Sequence, residues 1–143
     1  MSQALVRGVR SIVMTSKTPE VTAAFYRDIL GVPLGEEQHE NTSRHFAGKF
    51  GDLHIAVLPR EGFWRGSGQP EAPLVPAPAD GSAPAILVSF TIEDLDAFVA
   101  HLARHQVEVV GWRDMGPTKI VTIRDPDGRL VGCGTPWTEP QSP

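Results

Sequence analysis

Two helix starts, Thr18-Pro19 and Glu93-Asp94, head the same run of elements, and Thr18 and Asp94 stand 76 residues apart. A run that recurs at a fixed offset predicts duplication of one supersecondary unit. In the first copy, Val9 to Thr15 reads as a strand and Thr18 suits the N-cap. Pro19 suits the first helical position, where its missing N–H costs nothing. Val21, Ala24, Phe25 and Ile29 then recur at helical spacing, so this stripe is expected to face a core, with Arg27 and Asp28 in solvent. Gly31 supplies the left-handed residue that ends such a helix. Arg44 to Gly48 and Leu53 to Leu58 read as strands around a turn at residues 49–52.

The second copy repeats the plan. Ile86 to Ile92 reads as a strand, and Leu95, Phe98, Val99 and Leu102 form a helical apolar stripe. Val107 to Trp112, Lys119 to Arg124 and Arg129 to Cys133 follow as strands, the last two joined by Asp125-Pro126-Asp127-Gly128. The same offset matches Ser11 with Leu87, Gly51-Asp52 with Asp127-Gly128, and Ala56 with Gly132. The pattern predicts an α+β chain of two tandem βαβββ modules at 7–60 and 85–137. Both belong to one domain over 1–143 and are joined by a Gly/Pro-rich linker or flap at 61–84.

Composition excludes several classes. With 143 residues, 41% of them apolar, one sizeable core is affordable. Net charge is −4 and the 13 Lys and Arg are scattered, which argues against a nucleic-acid partner. The lone cysteine, Cys133, excludes an internal disulfide and a thiolate-rich metal site, and it reads as a buried small hydrophobe. Arg7 and Arg10 interrupt the first apolar stretch, so neither a secretion signal nor a membrane span is expected, and a cytoplasmic location is.

The stretch FYRDILG at 25–31, the late DPDG turn and the doubled unit resemble the vicinal oxygen chelate superfamily of glyoxalase I, bleomycin-resistance proteins and extradiol dioxygenases. The resemblance covers residues 7 to 137. It implies that the two modules form a curved, eight-stranded open half-barrel with a concave cavity, commonly in a homodimer. It also implies a divalent metal held by His, Gln or Glu from the first and last strands of each module. Those places fall on Ser11, Ala56, Leu87 and Gly132, none of them a competent ligand, so no metal and no cofactor are expected there. Small side chains at these places are expected to leave room instead.

His45 and His54 lie on consecutive strands, and pairing across the turn would set them opposite one another. As a metal pair they lack a third ligand at the matched positions. They stand either as ordinary strand histidines or as hydrogen-bonding or proton-transfer groups, and are the catalytic candidates. Trp64, in the flap, either packs under its own loop or closes over a flat ligand; Trp112 serves a core or a ligand. Alternation adds Ser89 to a ligand-binding set of Ser11, His45, His54, Ala56, Trp64, Leu87, Trp112 and Gly132. His39 reads as a surface residue, and Glu36, Glu37 and Glu40 as a solvated loop.

The expectation is a metal-free protein that binds a small, partly aromatic molecule, an antibiotic or a secondary metabolite, in the manner of the drug-sequestering members of that superfamily. The alternatives are an enzyme of the same superfamily (lyase, isomerase or dioxygenase, metal-dependent or using His45 or His54 as acid–base groups) and a regulatory or scaffold subunit.

Overall fold

The computed structural model describes residues 5–63 and 86–136. The chain divides into two compact units, residues 1–77 and 78–143. In the first, β1 (Ser11–Ser16) leads to α1 (Pro19–Asp28), then β2 (Gly35–Glu37), β3 (His45–Phe50) and β4 (Leu53–Pro59). In the second, β5 (Val88–Thr91) leads to α2 (Leu95–Arg104), β6 (Gly111–Asp114), β7 (Lys119–Arg124) and β8 (Leu130–Gly134). Each unit is thus βαβββ. The sheets run β1-β4-β3-β2 and β5-β8-β7-β6, with the first strand parallel to the last and the other pairs antiparallel. The duplication extends to register: Val13 pairs with Ala56, and Ser89 with Gly132, the same pair displaced by 76 residues.

Helix α1 starts at Thr18-Pro19 as expected, yet the Thr18 side chain makes no capping bond. Its backbone N–H donates to Ser16 Oγ at 3.0 Å instead. Asp94 does cap α2, its Oδ1 accepting from the Ala97 N–H at 3.0 Å. The buried face of α1 is Thr22, Ala23 and Tyr26, whereas Val21 is exposed, which rotates the helix from the expected stripe. A hydroxyl drives this correction. Thr22 is fully buried because its Oγ1 lies 3.1 Å from buried Ser16 Oγ, a bond that removes the cost of desolvating both. In α2, Leu95 and Leu102 are buried as expected.

Gly31 ends the first helical segment at φ +72°, with its N–H on the Arg27 carbonyl and the Val32 N–H on the Tyr26 carbonyl. The chain then turns sharply enough to bury Val32 and Leu34 and to lay Pro33 across β3 at Gly48. Residues expected as a solvated acidic loop form β2 instead: Gly35, Glu36 and Glu37 pair with Ala47, Phe46 and His45. A three-residue charged edge strand carries no apolar alternation and so no periodic signal. The expected strand over 107–112 is displaced to Gly111–Asp114. Trp112, on that edge strand, is 54% exposed and outside the core. The flap over 61–84 lies outside the described residues except for 61–63.

Val121, Ile123, Val131 and Cys133 are fully buried in the second unit. Burial pushes the Cys133 thiol from 9.0 up to about 12. Between those values the unfolded chain loses a proton that the native chain keeps. This contribution to stability is therefore complete below pH 9.0 and falls as pH rises toward about 12. Thiolate is the reactive form, so the native protein is expected to resist a disulfide-exchange reagent at neutral pH and to react only once denatured, measured by thiol release. Prompt release from native protein would contradict this burial. Among the described residues, no helix is long and apolar enough to cross a membrane.

Candidate functional site

The first unit holds a cleft of about 350 Å³ on one face of its sheet. Strand alternation builds its floor. Ala47, Ala56 and Leu58 form a buried cluster against which Val13 and Phe63 pack. Two alanines in direct register across β3 and β4 leave the centre of that floor low. His54 shares the face with Ala56 and Leu58 and lies at one margin.

The opposite margin is polar. His45, buried at the start of β3, has Nδ1 3.0 Å from the Ser43 carbonyl oxygen. A carbonyl only accepts, so Nδ1 carries a proton and the ring is held with Nε2 turned to the other side. That Nε2 lies 3.5 Å from Glu37 Oε2, and His39 Nε2 lies 3.5 Å from the same oxygen. Register explains the meeting: Glu37 pairs directly with His45 across β2 and β3. His39 is held by its turn, its backbone N–H donating to Thr42 Oγ1 at 3.1 Å. Phe63 meets the His45 ring edge-on at 5.2 Å, and its carbonyl accepts the Ser43 N–H at 2.7 Å, which fixes it beside the site.

His45, His54 and Ala56 therefore line one cleft. The two histidines are not opposite one another, a correction to the expected pairing. The tight turn at 51–52 sets Lys49 against His54, while His45 faces Glu37. Ser11 pairs with His54 but is exposed, and Val13 takes the lining position from β1. In the second unit Leu87 is 51% exposed ahead of β5, and Ser89 and Gly132 are register partners. Gly132 does not open room: a Cβ there would collide with Ser89 Oγ and lie 3.1 Å from Ser89 Cβ, so the serine already fills that space. Trp64 lies outside the described residues. Sequence reasoning missed Glu37, His39 and Phe63; Glu37 ends a three-residue strand and His39 lies in the turn beyond it, so no periodicity marked them.

The places that the resemblance assigns to a divalent metal do not fit one. Ser11, Ala56, Leu87 and Gly132 offer a single hydroxyl, and their register neighbours Val13 and Ser89 offer one more. Neutral hydroxyls alone do not hold a first-row dication.

Residues 8–132 match the family described as the Glyoxalase/Bleomycin resistance protein/Dioxygenase superfamily. No curated protein matches the sequence. Among solved structures, the chain is similar to lactoylglutathione lyase from Agrobacterium tumefaciens (19% identity, 92% of this chain and 96% of that one, TM-score 0.64). It is also similar to TnmS3, an antibiotic binding protein from Streptomyces sp. CB03234 (22% identity, 94% of this chain and 99% of that one, TM-score 0.65). Identities this low establish a shared fold and carry no activity across.

Proposed function

We propose that this chain, which belongs to the glyoxalase/bleomycin resistance protein/dioxygenase superfamily, binds a small, partly aromatic organic molecule and does so without a metal at the superfamily's usual places. The observation that carries the reading is the first unit's cleft, apolar at Val13, Ala47, Ala56, Leu58 and Phe63 and polar at its margins. Apolar walls supply the affinity for such a molecule, and a few placed imidazoles and a carboxylate orient it. The antibiotic binding neighbour is consistent with this use of the fold. A homodimer in the cytoplasm, with no nucleic-acid partner, completes the proposal; the free thiol of Cys133 suits a reducing compartment.

Thermal-shift measurement against a panel of aromatic antibiotics and secondary metabolites tests it. A ligand at a hundred times its Kd stabilises by roughly 2.7 kcal/mol, about 5–10 °C for a chain of this size. Ala56→Phe is expected to abolish that shift while leaving the unliganded protein folded, because the ring would stand on the cleft floor. A panel with no stabilising compound, or a shift untouched by Ala56→Phe, would count against the cleft as the binding site.

A second reading, acid–base catalysis on the bound molecule, is favoured by one observation: the Ser43 carbonyl orients the His45 ring so that Nε2 can take a proton. Conversion of a bound compound, lost in His45→Gln with binding retained, would replace the first reading with this one.

A further inference from the structure

We propose that Glu37, His39 and His45 form a binding site for a first-row divalent cation, Zn²⁺ foremost, on β2 and β3 of the first unit. One donor atom from each residue lies within 4.8 Å of the others. Glu37 Oε2 stands 3.5 Å from both imidazole Nε2 atoms. That separation is too long for a good hydrogen bond, but it matches two edges of a tetrahedron whose centre lies about 2.1 Å from each corner, the usual distance for zinc bound to imidazole nitrogen or carboxylate oxygen, and a swing of the exposed His39 side chain sets the third.

The surroundings support the assignment. His45 donates Nδ1–H to the Ser43 carbonyl, which turns Nε2 toward the Glu37 carboxylate oxygen 3.5 Å away. A cation between the two can be bound by both, and a backbone carbonyl on the far nitrogen is the outer-shell partner that metal-bound histidines ordinarily have. Burial of His45 fixes one ligand in advance. His39 and Glu37 are partly exposed, which gives an ion a path in. Three protein ligands leave a fourth position for water or for a donor atom of a molecule in the cleft, since all three residues line it.

The site is distinct from the first- and last-strand places considered above, and it stands whether or not the cleft holds an organic ligand. The test therefore uses the metal alone. Chelator-stripped full-length protein is titrated with Zn²⁺ in competition with a chromogenic chelator, and with Co²⁺ while its visible absorption is followed. One ion per chain is expected. Glu37→Gln and His39→Ala, at partly exposed side chains where folding is retained and checked by circular dichroism, are each expected to weaken uptake by roughly a hundredfold. His101 and His105, with ring centroids 4.5 Å apart on and just after α2, are the competing pair, so His101→Ala serves as control and is expected to change nothing. Absence of uptake overturns the proposal. So does uptake indifferent to Glu37→Gln and His39→Ala, whether or not His101→Ala abolishes it.

Discussion

Replacing Gly48 with valine is expected to cost about 3 kcal/mol or more of folding stability, a fall of roughly 10 °C in Tm. A Cβ at this position would land on the Pro33 carbonyl oxygen, lie 2.8 Å from the Pro33 carbonyl carbon, and press on Leu34 Cα at 3.4 Å. All three atoms are backbone, so none can swing aside as the end of a long side chain would. Relief requires moving the Val32–Leu34 segment, which buries Val32 and Leu34, or moving β3. The first exposes apolar surface, and the second breaks the register that sets Glu37 against His45. Gly35→Ala is the control, since a Cβ there meets nothing within 4 Å. Urea unfolding of both variants measures the difference. A Gly48→Val midpoint equal to that of Gly35→Ala would show that the close approach does not exist.

Asp125→Ala is expected to lose a similar amount, about 3 kcal/mol, through an unrelated mechanism. The Asp125 side chain is fully buried at the head of the turn before β8. Its Oδ1 accepts from the Asp127 N–H at 2.9 Å and the Arg129 N–H at 3.0 Å, while Oδ2 receives Arg129 Nη1 at 2.7 Å. Truncation to alanine strands two backbone donors and leaves Arg129 Nη1 with the longer contact to Asp127 Oδ2 at 3.2 Å, and bonds to a charged acceptor are the costly ones to lose. Asp125→Asn keeps an oxygen for the two N–H groups but turns an amide donor toward Arg129, forfeiting the charge and that hydrogen bond, so it is expected to recover part of the loss. Chemical denaturation of both variants at constant m-value checks the order. Equal losses in Asp125→Ala and Asp125→Asn would place the stabilisation in the ion pair alone.

The Asp-Pro-Asp-Gly turn illustrates what local sequence can convey. Proline at the second position, a carboxylate that bonds forward to its own turn, and Gly128 at φ +87° all act within five residues, so the segment is readable without tertiary context. Thr18-Pro19, Gly31 and the recurrence at 76 residues were legible for the same reason, and together they specify the βαβββ plan. The orientation of α1 was not. Thr22 scores as polar in any periodicity, and only its bond with Ser16, brought near by β1, makes it a core residue.

The polar margin of the cleft was hidden by the same kind of non-local fact. Glu37, His39 and His45 are scattered over nine residues with a turn between them, and their meeting depends on a β2–β3 register that no apolar alternation announces. Residues read from strand alternation fared better where the strand was apolar. Ala56 and His54 fall on the cleft face because β4 keeps an unbroken register with its neighbours, which sets residues two apart on one side although both its faces are buried. Arg44 lies exposed 3.1 Å from Glu36 and 3.6 Å from Glu20, where screening leaves little energy in either contact.

The pairing of Ser89 with Gly132 makes the duplicated scaffold unequal. Where the first half sets valine beside alanine and keeps a hollow, the second lets a hydroxyl lean across its bare neighbour and close the equivalent dimple. An engineer wanting a second receptor in this chain would begin by paring that serine back to glycine, because its side chain is what occupies the space over Gly132.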